Sequence, residues 1–126
     1  MPMSIRQAAS SSEAGGHPLP TAWQTLADQG VEIRGGELTV VAGQPAAGKS
    51  AFALATALRV GRPTLYICAD TAAWTMTLRV VAMVSGSPQD AVEERLNQDL
   101  GYADGAFEGV RFIRWCFDSA PTLNDI

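Results

Sequence analysis

Eight consecutive residues, Gly43-Gln44-Pro45-Ala46-Ala47-Gly48-Lys49-Ser50, satisfy the pattern GxxxxGK[ST] at every fixed position. Each of those positions has a use in phosphate chemistry. Glycine at 43 and 48 lets main chain come close where a Cβ would intrude. Backbone N–H groups from about Ala46 onward can turn toward an anion, and the start of a following helix adds the positive end of its dipole. Lys49 supplies a mobile charge for β- and γ-phosphates, and the Ser50 hydroxyl can ligate the magnesium ion that travels with them. The expected ligand is therefore ATP with Mg2+. Its expected contacts are Gly43, Ala46, Ala47, Gly48, Lys49, Ser50 and Ala51, with Ser50 as metal ligand and Lys49 also acting on the transferred phosphate. Lysine is otherwise avoided: of the nine Lys and Arg residues, Lys49 is the one lysine.

Such a loop works only between a strand and a helix, and the flanking sequence reads that way. LTVVA, residues 38–42, is a short apolar run suited to a buried parallel strand. Ser50 to Val60, SAFALATALRV, reads as an Ala- and Leu-rich helix covered on nearly all sides, ended by Gly61 and Pro63. A second strand is expected over Thr64–Cys68. A helix follows over Ala73–Ser85, with Met76, Val80, Met83 and Val84 on one face, stopped by Gly86 and Pro88. Ser87 is positioned to cap another helix, PQDAVEERL, and Val110–Phe117 reads as a third strand. A short helix within TAWQTLA, residues 21–27, precedes all of these. The order βαβααβ argues for an α/β domain with a mostly parallel sheet. Residues 1–19 form a Ser-, Ala-, Gly- and Pro-rich leader. Residues 20–126 read as the front part of a domain that continues, because Thr122 and Asp125 resemble the opening of a further capped helix.

Composition bounds the rest. A chain of 126 residues has room for one domain with a modest core. At 47% hydrophobic and 17% charged it has the balance of a globular protein. No apolar run approaches the roughly 20 residues of a membrane span, and no secretory leader is visible, so cytoplasm is the expected compartment. A net charge of −4 argues against holding nucleic acid by bulk electrostatics. Cys68 and Cys116 sit in apolar runs without CxxC spacing and read as reduced, buried thiols, and His17 in the leader receives no role.

The text LTVVAGQPAAGKSAFALATAL followed by TLYICADTAAWTMTLRVVAMVSG resembles the RecA-like motor domain of DnaB-type replicative helicases and of related RepA-like hexameric ATPases. The likeness runs from Leu38 to Gly86 and more weakly to Ile126. It implies an ATP-driven motor, a homo-oligomeric ring, and DNA held by segments outside this sequence. It also aligns Asp70, with Arg79 nine positions later, on an acidic residue that is usually glutamate in that family and polarises the attacking water. Asp70 is thus the second catalytic candidate, one methylene shorter than the usual residue. Two acidic strand ends remain open as magnesium-orienting positions: LYICAD, ending at this same Asp70, and WCFD, ending at Asp118. The family places that strand later, after a helix beginning near Pro121. Arg79 reads as an ion-pair or subunit-contact residue and Trp74 as a packing, interface or base-stacking aromatic. Two competing readings stand beside the motor: a non-catalytic nucleotide-binding or assembly module, and a small-molecule kinase with Asp70 as base. Against the latter, the loop lacks the extra glycine of GxxGxGK.

Overall fold

The computed structural model describes residues 16–117, and these divide into two compact units, one ending at Lys49 and one beginning at Ser50.

Among the described residues, the helix that lies wholly within the first unit is α1 (Gln24–Asp28). The chain leaves it through Gly30, whose φ of 75° suits a residue without Cβ, while Val31 N–H donates to Leu26 O at 2.9 Å. Residues 17–19 then lie antiparallel to 33–35. Leu19 N–H donates to Ile33 O at 2.8 Å and Gly35 N–H to the His17 carbonyl at 3.0 Å. Arg34 fastens this pairing through its own bonds to Gly16 O and the Glu32 carboxylate. His17 thus contributes its backbone.

The run 38–42 departs from expectation: it forms no strand, and Leu38, Val40 and Val41 are 92%, 77% and 45% exposed. The reason is physical. A strand is defined by its ladder, and among the described residues the sheet consists of two other strands. Apolar composition alone gives an extended segment without partners.

The second unit carries the core. After α2 (Lys49–Val60), the elements are β1 (Thr64–Ile67), α3 (Ala73–Ser85), α4 (Gln89–Gln98), α5 (Gly101–Glu108) and β2 (Ile113–Cys116). β1 and β2 run parallel in the register Thr64↔Ile113 to Ile67↔Cys116, so the three intervening helices form the crossover. This is α/β architecture with a two-stranded parallel sheet. No helix among the described residues is long and apolar enough to cross a membrane.

Helix α3 joins two clusters of buried side chains. Met76 and Val80 enter the first, with Leu54, Cys68 and Val110; Leu78 and Val81 enter the second, with Val92 and Leu96 from α4. The expected stripe of Met76, Val80, Met83 and Val84 holds only in its first half, since Met83 and Val84 are 38% and 43% exposed. The core ends before the last turn of the helix does. Gly86, at φ 68°, closes that turn in the left-handed conformation. α2 is less covered than expected: Leu54 is its one buried residue. The cap of α4 is also reassigned. Pro88 is its N-cap, Ser87 N–H donates to Ser85 Oγ, and Asp90 in the first turn complements the helix dipole. α5, with glycines at 101 and 105, was not legible as a helix. It forms because Tyr102, Ala103, Ala106 and Phe107 pack on the second cluster, and because Asp99 Oδ1 accepts from the Gly101 N–H at 2.9 Å.

Candidate functional site

The loop from Gly43 to Lys49 is held by its own main chain. Ala47 N–H donates to Gln44 O at 3.1 Å, making a tight turn over Pro45 and Ala46. Ala46 adopts φ 62° and Gly48 φ 87°. A left-handed alanine costs roughly 1–2 kcal/mol relative to right-handed backbone, and among the described residues it is the one non-glycine with positive φ. Two left-handed residues flank Ala47, a backbone alternation of the kind seen in anion-binding nests, while the Ala47 N–H itself is engaged with Gln44 O. The strain therefore sits where the motif needs a concave loop.

Lys49, the first residue of α2, folds back over this loop. Its Nζ donates to Gly43 O at 2.9 Å and to Gln44 O at 2.8 Å. Gly43 is a close-approach position: a Cβ there would lie 3.4 Å from Ala47 Cβ and 3.7 Å from Lys49 Cγ. Ser50 and Ala51 continue the first turn of α2. The expected contacts from Gly43 to Ala51 thus occupy one loop and the helix start that follows it. A cradle closed by glycine, left-handed backbone and an ammonium suits a polyphosphate, and the Ser50 hydroxyl is a hard oxygen donor of the kind magnesium takes.

Asp70 stands in the bend after β1, exposed, and does not cap α3. The N-cap is Ala72, with no side-chain cap bond. Its carboxylate oxygen Oδ1 accepts from Thr71 Oγ1 at 3.2 Å and from Cys68 Sγ at 3.9 Å. Neither partner was visible in the sequence, although both are close neighbours in the chain; the signal was the pair of small donors flanking an acid at a strand end. Cys68 is a buried free thiol and Cys116 a half-buried one. Tyr66, two residues before Cys68 on the same face, has its hydroxyl pKa pushed above the ordinary tyrosine value. Burial is the main cause and Cys68 adds to it, Arg79 opposes it, and Asp70 adds a smaller push. Arg79 therefore bears electrostatically on this strand end. Trp74, in the first turn of α3, is 40% exposed. Asp118 and the segment from Pro121 lie outside the described residues.

The comparisons with known proteins can now be set beside this geometry. No family model matches the chain. It is similar to Gene 65 proteins of mycobacteriophages. The identity is 38% over 117 residues with the Gene 65 protein of Mycobacterium phage L5, and 33% over 98 residues with that of Mycobacterium phage D29. These alignments take in 90% and 71% of this chain but 42% and 39% of the relatives, so the chain spans about two-fifths of the length of the curated relatives it matches. No solved structure matches it.

Proposed function

We propose that this chain is the ATP-binding part of a RecA-like motor ATPase of the DnaB helicase type. The observation that carries the reading is the Gly43–Ser50 loop: a full motif, left-handed Ala46 and Gly48, and Lys49 held over the loop. ATP would place its β- and γ-phosphates against the loop N–H groups, exchanging them for the Gly43 and Gln44 carbonyls as partners of Lys49 Nζ. Ser50 would hold magnesium, whose charge offsets that of the phosphates. Asp70, by the family resemblance, orients the water that attacks the γ-phosphate. DNA contacts, ring assembly and an arginine finger belong to the motor as a whole.

A second reading, a nucleotide-binding module that does not hydrolyse, is favoured by the state of Asp70. Two donors already engage its Oδ1, as they would in a purely structural turn. Calorimetric titration with Mg-ATP tests both readings at their shared step. Binding that is weakened about tenfold or more in Lys49→Ala supports the loop assignment, whereas equal affinity of variant and parent removes it. Phosphate release by the chain in the presence of Mg-ATP then separates the motor from the silent module.

A further inference from the structure

Four aromatic side chains of the second unit form a series that runs outward from the core cluster to solvent. Trp115 in β2 is paired by register with Tyr66 in β1, ring centroids 5.4 Å apart. Phe107 from α5 meets Trp115 edge-on, at 6.4 Å and 89°. Phe117, two residues along the same face, lies parallel to Trp115 within 5°, its centroid 6.4 Å away. Trp115 is thus fixed from three directions, and Phe117 ends the series 41% exposed. The four rings lie within direct interaction distance, so the assembly is pre-organised and a ligand ring would find its platform already ordered.

Its position is also that of a binding surface. Phe117 follows β2 at its carboxyl end. Cys68 N–H donates to Cys116 O at 2.8 Å, so the carboxyl end of β1, with Asp70 beyond it, lies at the same rim. Ligands of open α/β sheets bind outside the carboxyl ends of the strands. We propose that Phe117, seated on Trp115, is a stacking surface for a nucleobase. A flat heteroaromatic ring matches an open phenyl face in a parallel stack, and such stacking tolerates any base because every base has a π-face. The acidic net charge of −4, together with the Asp70 carboxylate at this rim, opposes phosphate, which favours the base of a free nucleoside over that of a strand. The assignment is independent of the Lys49 loop, since it asks nothing of a phosphate.

The test uses adenosine, which carries no phosphate, and oligothymidylate, which carries many. With Trp23 and Trp74 changed to Phe, Trp115 is the remaining tryptophan, and adenosine stacking on its neighbour quenches its fluorescence; calorimetry on the parent chain provides a label-free check. Phe117→Ala is expected to weaken adenosine about tenfold or more, and Phe117→Tyr to retain it. Oligothymidylate binding that is lost in Phe117→Ala, without adenosine binding, overturns the assignment to a free base. If Phe117→Ala matches the parent toward both probes, or neither probe binds the folded parent, the proposal is overturned, and the Lys49 loop is untouched by that result.

Discussion

Lys49 reaches back to Gly43: its Nζ donates to the Gly43 carbonyl at 2.9 Å, and its Cγ lies 3.7 Å from the place a Cβ on residue 43 would take. Loop and lysine therefore constrain one another. The ammonium engages two loop carbonyls, and the lysine stem passes within van der Waals contact of the place a Cβ on residue 43 would take. A nucleotide binding here must exchange those bonds for its own phosphates.

The first expectation follows directly. Lys49→Ala removes the ammonium and should weaken Mg-ATP roughly ten- to a hundredfold, the value of one or two hydrogen bonds to a charged group. Isothermal titration of variant and parent measures it. The melting temperature should change little, because these bonds are exposed and close a surface loop.

The two glycines of the loop should respond differently. Nothing stands within 4 Å of a Cβ at Gly48, so Gly48→Ala costs only the left-handed backbone at φ 87°, about 1 kcal/mol. Gly43→Ala meets Ala47 Cβ at 3.4 Å, an ordinary contact, and perturbs chiefly the lysine stem. Thermal melts should therefore register Gly48→Ala more strongly. Nucleotide titration should register both. Equal melting of Gly48→Ala and the parent would show that the loop relaxes without its left-handed turn.

Leu96 is 1% exposed and, with Val92, is what buries α4. Leu96→Ala should cost about 2–4 kcal/mol in urea unfolding, combining lost transfer energy with a cavity. Leu100, 68% exposed in the next turn of chain, is the control, and its change to Ala should stay within about 0.5 kcal/mol. Similar losses for both would mean that α4 is not docked through Leu96.

These residues also show what a sequence makes legible. Helix α3 could be read to its last residue because Gly86 is a local stop that needs no tertiary partner. At Gly43–Ser50 the turn and the helix start after it could be read, because the motif fixes residue types and spacing locally; the strand expected just before it did not form. The segment 38–42 was misread for the opposite reason: a strand is a relation between segments, and apolar character says nothing of the partner. α5 was missed because packing of Tyr102 and Phe107 outweighs the glycines beside them. The pairing of Tyr66 with Trp115 depends on the register of β1 against β2 across the crossover helices, which no local pattern encodes.

Tyr66 links protonation to stability. Its folded pKa is raised, mainly by burial and then by Cys68, so the folded state holds the phenolic proton more tightly than the unfolded chain. The contribution is fully present below the unfolded pKa, about 10, and is lost as pH rises through the higher folded value. The melting temperature of the parent should fall more steeply than that of Tyr66→Phe above about pH 10. Circular-dichroism melts across that range, with phenolate absorbance to follow the titration, measure the difference. Parallel curves would mean that Tyr66 ionises alike in both states.

Asp70 carries the sharpest division between roles. Asp70→Asn keeps the size and the Oδ1 acceptor used by Thr71 and Cys68, but it removes the charge and the capacity to take a proton. If Asp70 orients the attacking water, turnover in the assembled, hydrolysing ATPase should fall at least tenfold while ATP affinity holds, because the interaction lost belongs to the transition state. If it orients magnesium, metal-dependent nucleotide affinity should fall as well. If it serves only the turn after β1, both quantities should stay level. In that case Thr71→Val, which removes the 3.2 Å donor, should lower the melting temperature more than Asp70→Asn does. Turnover, nucleotide affinity with and without magnesium, and melting temperature on these two variants separate the roles. Unchanged turnover in Asp70→Asn would refute the catalytic assignment, whatever the metal dependence shows.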